Sequence, residues 1–354
     1  MQRSVTQKPV EKNVLKNKPK DSRWRQQTLP SYRPLFTAQF AWLVFLFQGV
    51  LFVLIGTLVL ALDNAKEVVV DYTCCHQHPD DNNIDCWDNS TQFHSFTCTV
   101  PVKLEEEYEG DVMFQYGMKH FFQNNRLYIK SRNDVQLVGD LHSTYDCDKY
   151  ATTMVDGKEL PIAPCGLVAN SMFNDTFKLY YYTQGDLLIP VPFSTERVIW
   201  SVERKRKYKN PKYDPKKNET LCDAFRGTAK PLDWQRPICE LGNDEDGYGF
   251  ENVDFIAWMK PAALPTFRKN YRSLKKIGQF VKGLPQGNYL LVLNYNYPIL
   301  QVAGNQSRKY FIISKDGILG AKNNFLPIAF ITFGSVSLLT VVFFLVIQMK
   351  NKKH

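Results

Sequence analysis

Two apolar stretches without a charged side chain constrain this chain most. They cover residues 40–62 and 325–349. A helix rises about 1.5 Å per residue, so each stretch is long enough for the roughly 30 Å hydrocarbon core of a bilayer. A soluble core helix as long as the first would carry a polar face, and this stretch has none. The sequence therefore predicts two transmembrane helices, with a buried soluble helix as the alternative.

The positive charge of the chain lies at its two ends. The formal net charge is +9, yet residues 1–33 alone hold nine Lys or Arg side chains against two acidic ones. Lys350, Lys352 and Lys353 follow the second stretch, so the rest of the chain is close to neutral. Basic flanks of this kind predict cytosolic termini and a luminal or extracellular region at 63–324. The charge does not form a groove for phosphates, which argues against a nucleic-acid partner.

Cysteines and glycosylation sequons support this topology independently. All eight cysteines fall between the two stretches, at Cys74, Cys75, Cys86, Cys98, Cys147, Cys165, Cys222 and Cys239. An even set confined to one compartment predicts disulfides formed in the secretory pathway. The Asn-x-Ser/Thr sequons fall there too, at Asn89, Asn174, Asn218 and Asn305. We therefore expect N-linked glycans at these positions, and no cofactor.

The predicted fold is two transmembrane α-helices flanking a large, mainly antiparallel β (α+β), disulfide-bonded ectodomain. Residues 1–39 form a cytosolic arm, of which the polar, Lys-rich residues 1–21 are predicted to be disordered. Strand character marks residues 67–72, 126–130, 179–183, 289–297 and 310–314. Short helices are predicted at 112–124 and 265–272. The run 204–217 reads as an exposed basic loop, either a partner surface or a solvated segment.

Small residues in the two spans mark faces where another helix can approach closely. Gly49 and Gly56 are seven residues apart and share one face, with Gln48 beside them, and the second span has Gly334 and Ser337. The partner of these faces is either the other span or a helix of a second protein. Neither span contains Asp, Glu, Lys or Arg, so neither has the residues of an ion path.

No pattern for catalysis or for a metal ion stands out. The set Cys74, Cys75, His76, His78, Cys86 and Cys98 matches no tight zinc-finger spacing, and an oxidising compartment favours disulfides. Adjacent cysteines are poor partners for each other, so Cys74 and Cys75 should each pair with Cys86 or Cys98. Cys147 with Cys165 and Cys222 with Cys239 are local candidate pairs. The acidic run 242–249 lacks the first and last ligands of an EF-hand, and nucleotide-binding and hydrolase motifs are absent from the sequence.

Several ordered stretches carry a resemblance to one family. They include Gln-Gln-Thr-Leu-Pro-Ser-Tyr-Arg-Pro at 26–34, Pro-Ile-Ala-Pro-Cys-Gly at 161–166, Asp-Phe-Ile-Ala-Trp-Met-Lys at 254–260 and Asn-Tyr-Asn-Tyr-Pro at 294–298. With these, the chain resembles the cell cycle control protein fifty / ligand-effect modulator family, and its animal members in particular. These proteins are the transmembrane β subunits of type IV P-type ATPases, the phospholipid flippases.

The resemblance implies a non-catalytic glycoprotein that forms a heterodimer with a ten-span catalytic subunit in the lipid bilayer. It would be needed for the folding of that subunit, for its exit from the endoplasmic reticulum to the Golgi, endosome or plasma membrane, and for aminophospholipid transport to the cytosolic leaflet. The arm at 24–34, with Trp24, Gln27, Pro30 and Pro34, would contact the pump on its cytosolic side. A stand-alone cell-surface receptor or adhesion glycoprotein is the alternative.

The resemblance also implies individual site assignments. Asn174 matches a family glycosylation position, and Cys147–Cys165 matches a family disulfide. A nested arrangement of Cys74–Cys98 around Cys75–Cys86 is expected, whereas Cys222 and Cys239 are additional to the family pattern. In the tail, Lys350 and Lys352 fit either a dilysine retrieval signal or a simple basic flank.

Overall fold

The computed structural model describes residues 22–31, 37–75, 95–183, 185, 187–214, 216, 218–304 and 306–352. The chain divides into two compact units, Met1–Thr57 with Phe325–His354, and Leu58–Asn324. The first unit contains most of one long apolar helix and all of another. The second unit is the ectodomain, whose sheets and short helices account for most of the chain.

Helices α1 (Ala38–Leu62) and α8 (Phe325–Lys352) are both long and apolar enough to cross a membrane. Their most apolar windows are only 11% and 17% buried inside the protein, so they are not core helices of a soluble fold. Both are rich in β-branched and aromatic residues, which favour strands in water. In lipid, however, a helix satisfies every backbone group within one segment, and this requirement outweighs intrinsic propensity. The predicted fold class is confirmed: two candidate transmembrane helices flank an antiparallel-sheet domain with disulfides.

Fifteen strands and six short helices form the described ectodomain. The strands are β1 (Lys66–Asp71), β2 (Phe96–Leu104), β3 (Tyr108–Glu109), β4 (Val112–Lys119), β5 (Thr152–Val155), β6 (Lys158–Pro161), β7 (Thr176–Tyr182), β8 (Leu188–Pro190), β9 (Phe193–Ser194), β10 (Gly242–Asn243), β11 (Gly247–Tyr248), β12 (Phe267–Leu274), β13 (Gly283–Leu284), β14 (Gly287–Tyr295) and β15 (Arg308–Lys315). The helices are α2 (Arg126–Lys130), α3 (Leu167–Asn170), α4 (Ser201–Lys207), α5 (Leu221–Ala224), α6 (Val253–Trp258) and α7 (Ile299–Ala303).

Two antiparallel sheets make the framework of this domain. The larger has the order β1-β15-β4-β12-β9, and the other has the order β2-β14-β7-β8. Strand β1, the first after α1, pairs along its whole length with β15, the last before α8, from Lys66 opposite Lys315 to Asp71 opposite Tyr310. The two strands that connect to the apolar helices are therefore neighbours in one sheet, although they are more than 230 residues apart in sequence.

Aromatic side chains fill the space between the two sheets. Phe177 on β7 contacts Phe311 on β15 and Tyr271 on β12, with ring centroids 4.9 and 5.2 Å apart. Phe114 on β4 lies 6.2 Å from the same Phe311 ring. Around Phe114 on β4 and Phe177 on β7, buried side chains alternate with exposed or half-buried ones, as expected for sheets with one face turned to a core. On β12 and β15 the residues that follow Tyr271 and Phe311 are buried consecutively.

Three local predictions from the sequence are wrong. Residues 112–124, predicted as a helix, begin with β4, and residues 265–272, also predicted as a helix, run into β12. Both are central strands of the five-stranded sheet, and pairing on two sides outweighs their weak helical pattern. Residues 126–130, predicted as a strand, form α2, because the Asn125 side chain caps the helix by accepting a hydrogen bond from the Leu127 N–H.

Candidate functional site

The two apolar helices pack on each other along a regular seam. One series of buried or half-buried positions runs along each helix, with other half-buried residues such as Val53 and Leu338 beside it. The series is Trp42, Phe45, Gly49, Phe52, Gly56 and Val59 on α1, and Pro327, Phe330, Gly334, Ser337, Val341, Phe344 and Gln348 on α8. Both series alternate steps of three and four residues, which is the 3.5-residue period of a left-handed helix pair. Stacked Phe45 and Phe344, with centroids 6.1 Å apart, mark one part of the seam, and Phe52 with Phe330 marks another.

The glycines of this seam allow the helix backbones to approach closely. A Cβ on Gly49 would lie 2.8 Å from Leu338, and a Cβ on Gly334 would lie 2.9 Å from the Gly49 carbonyl oxygen. A Cβ on Gly56 would lie 2.7 Å from Ile331. Of the two interpretations of the glycine face, the structure therefore supports the other span of the same chain. A helix of a second protein would have to use the outward faces of α1 and α8.

Hydroxyl groups in the spans bond within their own helices. Ser337 lies in the seam but donates to the Phe333 carbonyl at 3.0 Å. Thr332, Ser335 and Thr340 each donate to the carbonyl four residues earlier. In the described helices these four hydroxyl groups therefore donate within one helix and not between the two. Gln48 is half-buried beside the seam.

The described part of the N-terminal arm is a compact turn. The Gln26 N–H donates to the Ser22 carbonyl and the Thr28 N–H to the Arg23 carbonyl, at 2.9 and 2.8 Å. Trp24, between two arginines, is 77% exposed. Gln27 adopts a left-handed backbone conformation with φ 52°. Pro30 is exposed, and Pro34 lies outside the described residues.

The disulfides confirm two of the sequence pairings and correct a third. Cys147–Cys165 and Cys222–Cys239 form as predicted from their spacing. Cys98, however, is joined to Cys75, with Cα atoms 6.2 Å apart, and not to Cys74. The expected Cys74–Cys98 and Cys75–Cys86 nesting is therefore wrong. Cys75 follows the end of β1 and Cys98 lies on β2, so this bridge links the two sheets.

Cys74 is also disulfide-bonded. Cys86 lies outside the described residues, as do His76, His78 and two of the sequon asparagines, Asn89 and Asn305. Across the residues that the structure describes, three or more His, Cys, Asp or Glu side chains nowhere come together as metal ligands would.

Two sequons can be placed on the surface. Asn174 is exposed just before β7, and the Asn296 side chain donates to its backbone carbonyl at 3.0 Å. Asn218 is exposed in the loop before α5, with φ 57°. The Thr220 hydroxyl of that second sequon belongs to the capping box of α5, where it donates to Asp223 at 2.7 Å. Both asparagine side chains are thus accessible to a glycan.

A buried ion pair includes Asp175, the middle residue of the first of these sequons. Lys309 on β15 donates to Asp175 at 2.6 Å, and both side chains are fully buried. The same ammonium donates to the Tyr297 carbonyl at 2.7 Å and lies 3.2 Å from the centroid of the Tyr295 ring. Tyr72 donates its hydroxyl to Asp175 at 3.1 Å. The pair therefore ties the β1 end, β15 and the 294–298 stretch into one network.

The remaining hydrogen bonds to Asp175 explain how its carboxylate is tolerated in the core. Its Oδ1 accepts the backbone N–H groups of Asn296 and Tyr297 at 2.6 and 2.7 Å. Burial lowers the pKa of Lys309 to about 8, and the neighbouring Asp175 opposes that shift. Burial, followed by the Asp175 charge, raises the pKa of Tyr72 well above its usual value. Sequence reasoning did not single out this pair.

A second charged cluster organises β12. Arg272 makes two hydrogen bonds to Asp254, at 2.6 and 3.0 Å, and an ion pair with Asp246 at 3.0 Å. This arrangement fixes the start of α6 and the acidic hairpin of β10 and β11 against the sheet. The acidic run 242–249 is thus partly neutralised by an arginine of the fold.

Buried Lys269 on the same strand has another kind of partner. Its ammonium donates to the carbonyls of Ala257, Trp258 and Lys260 at 3.1, 2.8 and 2.7 Å. These groups end α6, where the free carbonyls and the helix dipole favour a cation. Burial lowers the pKa of Lys269 well below its usual value.

The basic run begins as a helix and not as a loop. Its first residues belong to α4, which borders a groove of about 770 Å³. Arg197, Arg204, Lys205 and Lys209 line this groove together with Glu196 and Glu251. Trp200 precedes the helix, is largely exposed and has the Lys260 ammonium 5.6 Å from its ring centroid. The surface is therefore basic with an aromatic edge.

Comparison with known proteins assigns this architecture to one group of proteins. The sequence model of the LEM3 (ligand-effect modulator 3) family / CDC50 family matches residues 58–354. The chain is 38% identical over 347 residues to cell cycle control protein 50A of Bos taurus, covering 95% of this chain and 90% of that protein. It is 36% identical to cell cycle control protein 50B of Homo sapiens, covering 94% of each. It is also 31% identical over 343 residues to putative ALA-interacting subunit 4 of Arabidopsis thaliana, covering 94% and 90%.

Proposed function

The chain belongs to the LEM3 (ligand-effect modulator 3) / CDC50 family, and on that premise we propose that it is the non-catalytic β subunit of a type IV P-type ATPase phospholipid flippase. The observation that carries this proposal is the match along almost the whole chain to a protein named for interacting with a partner, an ALA-interacting subunit. The match covers 94% of this chain and 90% of that protein, so it is not confined to one segment of the chain.

The membrane part of the molecule suits an accessory role. Neither α1 nor the apolar part of α8 contains an ionisable side chain that could form an ion or proton path. Their seam is closed by glycines, so the outward faces remain for the helices of a catalytic subunit. We infer a heterodimer in which the partner performs the chemistry and lipid movement.

The proposed orientation places both termini in the cytosol. Basic residues flank the outer ends of both spans, and every cysteine and sequon lies between them. The ectodomain would then be glycosylated, at Asn174 among other positions, and would face the lumen or cell exterior. The arm around Trp24 would be on the cytosolic side, where it could bias the conformational cycle of the partner.

The proposed cellular role is assistance in folding, delivery and activity. The subunit would support folding of the catalytic chain, its exit from the endoplasmic reticulum, and aminophospholipid transport to the cytosolic leaflet. Its own passage to the Golgi, endosome or plasma membrane would depend on assembly.

Depletion of this chain tests the proposal in cells. We expect the catalytic subunit to stay in the endoplasmic reticulum and uptake of a fluorescent phosphatidylserine analogue to fall, and re-expression to restore both. A stand-alone receptor or adhesion glycoprotein predicts the opposite: normal delivery of every type IV P-type ATPase and unchanged lipid uptake after depletion. Unchanged results in both assays would refute the accessory-subunit function.

A further inference from the structure

A tight turn between β15 and α8 exposes two large aliphatic side chains. The Gly317 N–H donates to the Gly320 carbonyl at 2.7 Å, and the Gly320 N–H donates back to Gly317 at 3.1 Å. Ile318 and Leu319 are the two central residues of this closed turn. Their side chains are 73% and 56% exposed. The turn therefore presents an apolar tip.

Such a tip is unusual for a turn that faces water. The central positions of tight turns are dominated by Gly, Asn, Asp and Ser, which hydrogen-bond locally or tolerate unusual backbone angles. Isolated exposed aliphatic residues are common on protein surfaces and need no explanation. Two adjacent ones at the tip of a two-residue turn place most of their surface outside the fold, which points to an apolar environment at the tip.

The turn is fastened to the chain that leaves α1. The Asn64 side-chain oxygen accepts the Ile318 N–H at 3.1 Å. A Cβ on Gly317 would lie 2.7 Å from that oxygen and 2.8 Å from the Ala65 nitrogen, so only glycine permits this close contact. Asn64 follows the last residue of α1, Leu62, by two positions. Two residues span at most about 7 Å, so the turn lies next to the end of the apolar helix.

We propose that the Ile318–Leu319 turn is a lipid anchor that inserts into the headgroup and upper acyl region of the non-cytosolic leaflet. The occupant of this surface is phospholipid, because the turn is hydrogen-bonded to Asn64, two residues after the end of the apolar helix α1. The transfer of aliphatic side chains from water to this boundary is favourable. The inference requires that α1 and α8 span a membrane and is independent of the identity of the catalytic partner.

Spin labels at the tip test the anchor. Ile318→Cys and Leu319→Cys chains are each labelled with a nitroxide and reconstituted in phosphatidylcholine vesicles, after the unsubstituted chain has been shown to take up no label. The measurement is the accessibility of each label to oxygen, which concentrates in the bilayer, and to a water-soluble nickel chelate. We expect both labels to be more accessible to oxygen than to nickel.

Leu264→Cys is the matched control. Leu264 is 67% exposed and lies just before β12. Phe267, at that end of β12, lies opposite Met118, and Met118 lies opposite Lys309 near the start of β15. The Ile318–Leu319 turn, in contrast, follows Lys315 at the end of β15. The six residue steps from Lys309 to Lys315 correspond to about 20 Å of strand. The control label should therefore show the reverse preference, for nickel over oxygen.

Two results would overturn the lipid anchor. Nickel accessibility at positions 318 and 319 equal to that at 264 would mean that the tip stands in water. Low accessibility of both tip labels to both reagents would mean that protein covers the turn, in place of lipid. Because each tip position is labelled separately, a folding defect in one variant leaves the other as an independent test.

Discussion

At the scale of single residues, the fold depends on charges that have been taken out of water. Lys309 and Asp175 are fully buried, and the hydrogen bonds that make this tolerable come from Tyr72 and from the backbone of residues 296–297. Removing one member of such a pair leaves an uncompensated charge in the core, which costs far more than the net value of the pair. The network is therefore a point where the ectodomain is sensitive to single substitutions.

Substitution of Lys309 tests this sensitivity. Lys309→Met should lower the free energy of unfolding by about 3–5 kcal/mol, because Asp175 would remain buried without its cation. In the double variant Lys309→Met/Asp175→Asn, the amide oxygen at position 175 can still accept the two backbone N–H groups. The decrease in the free energy of unfolding should therefore be smaller in the double variant than the sum of the decreases in Lys309→Met and in Asp175→Asn. The sequon at Asn174 is preserved in both chains. Chemical unfolding of the purified protein in mild detergent gives the values, and strictly additive losses would contradict the coupling.

The pH dependence of stability has a predicted sign. Burial lowers the pKa of Lys309 to about 8, and its unfolded value is about 10.4. Between these values the unfolded chain binds more protons, so this group makes stability rise with pH. Buried tyrosines such as Tyr72 and Tyr116, whose pKa values are raised by burial, reverse the trend above about pH 10. Unfolding midpoints between pH 7 and 11 measure the curve, and a Lys309→Met chain with the same rise as the wild type would refute the assignment.

At the scale of helices and strands, glycine positions and disulfides determine what can pack. The seam between α1 and α8 requires three positions without side chains, Gly49, Gly56 and Gly334. In the ectodomain, Cys75–Cys98 joins the segment after β1 to β2, and the other two described bridges close local loops. The glycine seam and the described disulfides therefore determine the surfaces that a partner would contact.

A larger side chain at Gly49 should separate the helix pair. Gly49→Leu introduces atoms where Leu338 and Gly334 already lie, and overpacking of this kind costs about 1–3 kcal/mol. The measurement is oxidative cross-linking between cysteines placed at Phe45 and Phe344, whose rings stack in the seam. We expect a lower cross-linking yield in Gly49→Leu and no change in Val50→Leu, whose side chain is exposed on the same helix. Equal yields in both would show that the glycine is not required.

Removal of the two local disulfides should have unequal effects. They join cysteines 18 and 17 residues apart, and closing loops of this size is worth about 3 kcal/mol. Cys147 and Cys165 also pack against Ile162 in a buried cluster, whereas Cys222 is exposed. Cys147→Ser/Cys165→Ser should therefore lower the unfolding midpoint in denaturant more than Cys222→Ser/Cys239→Ser. The reverse order would contradict the packing argument.

The two spans and the disulfide-bonded β domain can be predicted from the sequence, because the apolar stretches are long and the cysteines and strand patterns recur along the chain. Short elements such as 112–119 and 126–130 are assigned wrongly, since strand pairing and a single Asn125 cap decide them. The Cys75–Cys98 bridge depends on how β1 and β2 meet, which spacing alone does not contain. Lys309 was missed although a signal existed: it shares strand parity with buried Phe311 and Ile313, which predicts a buried cation and a carboxylate partner.

At the scale of the whole molecule, we infer a subunit that is completed by another chain. Its spans have no ionisable path, its fold has the antiparallel ectodomain of the LEM3/CDC50 family, and its first and last ectodomain strands pair in one sheet. In this account, α1 and α8 meet the partner through their outward faces, while the glycine seam serves the chain itself. The central claim is the existence of that partner.

Affinity purification of the full chain from its own membranes in mild detergent, followed by mass spectrometry, tests that claim most directly. We predict that one or a few type IV P-type ATPase catalytic chains co-purify in amounts comparable with the chain itself, and that a tagged, unrelated two-span glycoprotein recovers none. Recovery of the chain alone, with no P-type ATPase above the control under conditions that preserve other membrane complexes, would contradict the account.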